Sequence, residues 1–188
     1  LQLLGAVRGM KYLLSNGVSV KETLEELSEG IKHYEDRLKY GLNKEFNPRK
    51  VLNDNPDDIN DKIYGNNNVI GPTAEGALHG THVAGIIAAV RHNNIGIDGV
   101  ADHVRIMPVR TVPDGDEYDK DVALALRYAI DNGAKVINTS FGKEFSPHKE
   151  WVYDALKYAA EKDVLIVNAA GNDTKNVDVQ LTFPDDNI

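Results

Sequence analysis

The sequence predicts an α/β fold, a parallel sheet flanked by helices, preceded by an N-terminal helical segment. From residue 79 onward, strand-sized apolar runs alternate with stretches of helical spacing, joined by short connections. The first 47 or so residues instead carry an amphipathic helical period, and a polar, asparagine- and aspartate-rich stretch separates the two regions. The chain has 188 residues, 41% hydrophobic and 27% charged, which suits an ordinary globular domain or part of a larger one.

Taken in order, Leu3 to Leu14 reads as a first helix, stopped by Asn16 and Gly17. Ser19 followed by Glu22 is a capping-box pattern, in which hydroxyl and carboxylate each satisfy a backbone donor at a helix start. Leu24, Leu27, Ile31, Tyr34 and Leu38 then recur at helical spacing, giving about six turns that end near Gly41. That apolar stripe needs a cover. Residues 48 to 78 read as loop. Their segment Asn53 to Asp61 (NDNPDDIND) is either solvated surface or a set of hard oxygen donors for Ca²⁺, although it lacks the EF-hand order.

Beyond the loop, His79 to Val90 reads as a helix and Val104 to Val109 as a buried strand. Val122, Ala125, Leu126, Ala129 and Ile130 mark a helix that Gly133 can end in a left-handed cap. Lys135 to Phe141 is the next strand, Trp151 to Ala159 a helix, and Val164 to Ala169 a further strand. In parallel sheets the working groups lie beyond the carboxyl ends of the strands. Those ends fall near Arg110, Ser140 and Gly171.

Bulk properties exclude several functions. The formal net charge is -8, which opposes binding to nucleic acid. No apolar run approaches the roughly 20 residues of a membrane helix. With no cysteine there are no disulfides, thiol nucleophiles or thiolate metal sites in this stretch. The chain starts at Leu1 without a leader and stops in a polar Pro-Asp-Asp-Asn segment, so both ends read as cuts in a longer chain.

The sharpest local signal is His79-Gly80-Thr81-His82-Val83-Ala84-Gly85. A histidine opening a helix meets the positive end of the helix dipole, which suits the neutral imidazole a general base must present. Gly80 removes a side chain beside the ring, while Ala84 and Gly85 permit close backbone packing. A second signal, Ala169-Ala170-Gly171-Asn172, follows a strand and can hold an amide donor toward a developing oxyanion. A third, Val136 to Gly142 (VINTSFG), is a strand ending in a turn.

Together these stretches resemble the subtilisin-like serine proteases, or subtilases, over about residues 76 to 173. The seven-residue histidine segment matches the family motif throughout. The resemblance implies an incomplete subtilisin-like catalytic domain: residues 1–78 a helical insertion and acidic loop, residues 79–188 the central part. It implies His79 as the catalytic base, His82 as a buried neighbour and Asn172 as the oxyanion donor. Ser140, Phe141 and Gly142 would line the pocket for the residue before the scissile bond, with Ala169, Ala170 and Gly171 as the other wall. Gly142 would leave backbone open to an extended peptide, Gly115 would lie on the opposite substrate strand, and Lys143 would bias the pocket toward acidic residues. Asn93 would supply an oxygen to a structural calcium ion, though no cofactor is required for the chemistry.

The family's aspartate motif, Asp-Ser-Gly or Asp-Thr-Gly, does not occur before His79, and only 16 residues follow Asn172, too few to reach the serine motif. The chain alone is therefore expected to be inactive. Its expected partner is a peptide or protein substrate, its compartment secreted, periplasmic or cell-surface, and uncovered sheet edges would favour self-association. Two other classes stay open. One is a peptide-binding module that keeps the cleft without the chemistry; the other is a metal-dependent hydrolase built on His79 and His82, three residues apart.

Overall fold

The computed structural model describes residues 2–17, 19–112, 115–180 and 182–185. The chain divides into two units, Leu1–Val51 and Leu52–Ile188. In the first unit, α1 spans Gln2–Ser15 and α2 spans Val20–Asp36, with a π-helical turn continuing α2 through Arg37–Gly41. The sequence reading of both helices holds. Asn16 donates its backbone N–H to the Tyr12 and Leu13 carbonyls, and Gly17 turns away at a φ of 79°. The capping box forms as expected: Glu22 N–H donates to Ser19 Oγ at 3.1 Å, and Ser19 N–H donates to Glu22 Oε2 at 3.0 Å.

The second unit contains α3 (Leu78–Ala88), α4 (Asp119–Asp131), β1 (Val136–Thr139), α5 (Lys149–Glu161) and β2 (Leu165–Asn168). β1 and β2 pair in parallel, Val136 with Leu165 through to Thr139 with Asn168, so β1, α5 and β2 form the β-α-β unit that alternating strands and helices predicted. Ile137 and Ile166 point to the same face, because strand side chains alternate. That face meets Val122, Ala123 and Leu126 of α4 and Val152, Ala155 and Leu156 of α5, which form the core. Fully burying one such aliphatic chain contributes about 1.5–3 kcal/mol.

The other face of the pair stays open. Val136 is 61% exposed and Leu165 60%, so the strands are covered on one side and not on both. The sequence reading also differs from the structure at Val104–Val109, which forms no ladder among the described residues. Val104, Ile106 and Met107 are exposed there. An apolar run becomes a strand only when a neighbour accepts its backbone bonds, and the described residues supply none.

Two helix ends explain the tight connections. After α4, Gly133 donates to the Ile130 carbonyl and Ala134 to the Ala129 carbonyl, the paired bonds of a Schellman cap, with Gly133 at φ 90°. α5 ends the same way through Asp163 and Val164, but Asp163 takes the left-handed position at φ 56°. The acidic loop belongs to the second unit. Lys120, in the first turn of α4, is 1% exposed, and its Nζ donates to Asp54 Oδ2 at 2.9 Å and to the Asn55 carbonyl at 2.6 Å. Asp61 lies 3.7 Å away, and the ammonium sits over the Tyr64 ring at 4.5 Å. Oxygens of Asp54, Asn55 and Asp61, within the segment that the sequence offered to Ca²⁺, thus gather around an internal ammonium.

Replacing Lys120 with Met removes the ammonium from the buried pair with Asp54 and should lower stability by about 3–5 kcal/mol in urea denaturation. At the helix ends, Gly133→Ala should cost about 1–2 kcal/mol, whereas Asp163→Gly should raise the urea midpoint.

Candidate active site

His79 is the second residue of α3 and lies on its exposed first turn. Ala77 stands at the N-cap and provides no side-chain acceptor there. The loop before the helix is fixed by Arg110, whose Nη1 donates to the Ile70 carbonyl at 2.8 Å and the Gly76 carbonyl at 3.1 Å. Gly71 makes room for that guanidinium: a Cβ there would meet Arg110 Cζ at 2.8 Å, and its φ of 83° also favours glycine. Sequence reading marked Arg110 only as a strand end. Its role as a tether three to nine residues before His79 needs the fold.

The far end of α3 is closed by Gly99 to Ala101, whose N–H groups donate to the Ala89, Ile86 and Ile87 carbonyls. This is the close backbone approach that sequence reading assigned to Ala84 and Gly85. A Cβ on Gly99 would meet Ala89 N at 2.3 Å, whereas one on Gly80 or Gly85 meets nothing within 4 Å. His82, expected buried, is exposed, because nothing among the described residues covers that side of α3.

Asn93 Oδ1 accepts from the Ile95 N–H at 2.9 Å in a local turn, and Asp98 Oδ1 accepts from the His92 N–H. Both oxygens thus serve the loop itself. No group of three or more His, Asp or Glu side chains converges on a metal-sized space among the described residues.

The remaining candidates gather at the carboxyl ends of the paired strands. Ser140 to Gly142 follow β1, and Ala169 to Asn172 follow β2, held side by side by the Ala169 N–H bond to the Thr139 carbonyl at 3.1 Å. Thr139, 3% exposed, donates through Oγ1 to Asn168 Oδ1 at 2.6 Å, and Asn168 Nδ2 donates to the Pro184 carbonyl at 2.8 Å. Ser140 Oγ accepts from Asn138 Nδ2 at 2.9 Å. Asn172 is exposed just past Gly171, which turns at φ 85°. Gly115 is exposed at φ 136° beside residues 113 and 114, which lie outside the described set. No hydrogen bond among the described residues joins His79 to Asn172 or Ser140.

Three expectations about this wall change. Phe141 packs against the helical core, because its ring finds apolar cover there. The backbone beside Gly142 is already paired: Lys143 N–H donates to the Phe183 carbonyl at 3.0 Å and Phe183 N–H to the Lys143 carbonyl at 2.8 Å. Thr182 Cγ2 would sit 3.0 Å from a Cβ on Gly142. Lys143 does not face a substrate acid either. Its Nζ donates to Asp119 Oδ1 at 2.8 Å and to the Glu117 carbonyl at 2.7 Å, leaving its side chain 8% exposed.

Asp119 is the hub of this wall. It also accepts from Ser146 Oγ at 2.7 Å and from the His148 N–H at 2.9 Å. Burial pushes its carboxyl upward, but the bonds from Lys143, His148 and Ser146 outweigh that and hold it below the ordinary aspartate value. Glu117 is 5% exposed with Oε1 unpartnered, and burial holds its carboxyl above the ordinary value against its own backbone bond and the Lys143 charge. Tyr153 donates to Asp185 Oδ1 at 2.9 Å, and its phenol is pushed up to about 12 by burial and then by that carboxylate.

The match to known proteins covers the same region. The model of the Subtilase family, peptidase S8, matches residues 19–187. A thermophilic serine proteinase of Bacillus sp. (strain AK1) is 45% identical over 95 residues, 50% of this chain and 23% of that protein. A cell wall-associated protease of Bacillus subtilis (strain 168) is 41% identical over 107 residues, 56% of this chain and 11% of its own. Thermitase of Thermoactinomyces vulgaris is 42% identical over 95 residues, 50% of this chain and 33% of its own. The matched stretch thus spans a third or less of each of these relatives. No solved structure matches.

The two carboxyls give opposite pH dependences. Glu117 binds its proton more tightly folded than unfolded, so stability should fall as pH rises from the ordinary glutamate value through the raised one. Asp119 should contribute stability above the ordinary aspartate value and lose it as pH falls through the lowered one. Urea midpoints measured across pH should show the first decline flattened in Glu117→Gln and the acid-side loss reduced in Asp119→Asn.

Proposed function

Because this chain belongs to the subtilase family, we propose that it supplies the general base and the oxyanion donor of a serine endopeptidase. The observation that carries this reading is the β-α-β unit. Its parallel strands end side by side, with Ser140–Gly142 after one and Ala169–Asn172 after the other. In such sheets that end is where ligands bind.

In this reading a peptide lies across the two strand ends. Ser140 and the backbone of Phe141 and Gly142 form one wall of the pocket for the residue preceding the scissile bond, and Ala169, Ala170 and Gly171 the other. Gly115 stands on the opposite substrate strand. His79 Nε2 takes the proton of a serine hydroxyl as it attacks the carbonyl, then returns it to the leaving amine. Asn172 Nδ2 donates to the oxygen that gains charge. The serine and the aspartate that orients His79 are supplied by segments outside these 188 residues. The substrate is a peptide or protein, met in a secreted, periplasmic or cell-surface setting. A relative named for its cell-wall association supports that placement.

A polypeptide extended to include the serine segment should take a single fluorophosphonate adduct, detected by intact mass and lost in His79→Ala. In the same polypeptide Asn172→Ala should lower kcat by about 10²–10³ with KM little changed, a magnitude that itself comes from a subtilisin. The 188-residue chain by itself should show no turnover of a chromogenic peptide. Turnover by the short chain, or absence of an adduct on the folded longer one, overturns the reading; the second result leaves a peptide-binding module.

A further inference from the structure

The last rung of the β1–β2 ladder, Thr139 beside Asn168, is polar on the face where the rung before it is Ile137 beside Ile166. Thr139 is 3% exposed, and its Oγ1 donates to Asn168 Oδ1 at 2.6 Å. Asn168 Nδ2 turns the other way and donates to the Pro184 carbonyl at 2.8 Å. A carbonyl can only accept, so the amide nitrogen faces Pro184 and the amide oxygen faces the Thr139 hydroxyl. A buried hydroxyl without such a partner is costly, so the pair holds each side chain in one orientation.

Both residues stand one position before a wall of the candidate pocket: Ser140 follows Thr139, and Ala169 follows Asn168. The segment Thr182 to Pro184 touches both sides. At Phe183 it pairs with Lys143, just past Gly142, and a Cβ on Gly142 would lie 3.0 Å from Thr182 Cγ2 and 3.2 Å from the Phe183 carbonyl oxygen. At Pro184, which is buried, it accepts the Asn168 amide. Backbone bonds therefore attach this segment beside the first wall, and a side chain attaches it beside the second.

On the reading that these walls hold a peptide substrate, we propose that Asn168, held by Thr139, is a positioning residue that sets selectivity for the residue before the scissile bond. Its amide fixes Thr182 to Pro184 between Ser140–Gly142 and Ala169–Gly171, and so fixes how large a side chain the gap accepts. Asn168 and Thr139 act through the walls and not on the reacting atoms. A gap of fixed dimensions discriminates by shape, about 10–200-fold in kcat/KM for one methylene. A gap with one movable side accepts a wider range and discriminates less. Asn168→Asp keeps the size and the acceptor facing Thr139 but sets a carboxylate against the Pro184 carbonyl. Thr139→Val keeps the shape and removes the donor, whereas Thr139→Ser keeps the donor.

The variants are compared in a polypeptide extended to include the serine segment, on peptides with Ala, Leu, Phe or Lys before the scissile bond. The ratio of the highest to the lowest kcat/KM should fall by about tenfold or more in Asn168→Asp and in Thr139→Val, and should be kept in Thr139→Ser. A loss of folded enzyme lowers every rate alike and leaves this ratio unchanged, so the ratio separates positioning from stability. In the 188-residue chain, hydrogen exchange at the Phe183 N–H should quicken in Asn168→Asp and Thr139→Val. Exchange at the Leu165 N–H, which donates to the Lys135 carbonyl, should stay as it is. An unchanged ratio overturns the proposal, as does unchanged exchange at Phe183. No fluorophosphonate adduct on the folded, unsubstituted polypeptide overturns the protease reading itself and the proposal with it, a result seen before any variant is made.

Discussion

Two adjacent charged side chains at the start of α4, both buried, organise most of the second unit. Asp119 gathers Lys143, Ser146 and the His148 N–H, and so fixes the segment that leaves β1. Lys120 turns the other way and gathers Asp54, Asn55 and Tyr64. A buried charge is tolerated only when its partners are close and its remaining donors are satisfied. Each of the two therefore imposes a place on a loop that would otherwise be solvated. One half-turn of helix thereby fixes both the segment leaving β1 and the acidic loop.

The parts of the fold carried by short-range rules were legible in the sequence. Ser19 and Glu22 announce a cap, Gly133 announces a stop, and the spacing of Val122, Leu126 and Ile130 announces the face that α4 buries. The family was legible for the same reason, since its signals are contiguous segments around His79, Ser140 and Asn172. What the sequence hid depends on pairings far apart in the chain. Nothing local to NDNPDDIND says that its cation is Lys120, 66 positions from Asp54. Nothing local to Val104–Val109 says that it forms no ladder among the described residues. Lys143 reads as a free cation near a pocket until Asp119 and Glu117 are seen beneath it.

The sheet itself is half a design. Ile137, Thr139 and Ile166 face the helices and are covered, while Val136, Leu165 and Val167 present an apolar surface to solvent. A parallel sheet ordinarily has both faces covered. The small residues of α3 tell the same story, because Gly80 and Gly85 leave space that nothing described here fills. Only at Gly99 does α3 meet backbone closely enough to exclude a side chain. Among the described residues the paired strands are thus covered on the helical side and bare on the other.

The backbone pair between Lys143 and Phe183 has a competitive meaning. A peptide seeking those same donor and acceptor groups meets Phe183 already bridged there, tethered through fewer than 40 intervening residues. A short tether presents its end at an effective concentration on the order of millimolar. A free peptide matching Phe183 bond for bond would need comparable abundance to displace it. The chain thus withholds this stretch of edge from recognition, and any guest must be read by the neighbouring edges instead.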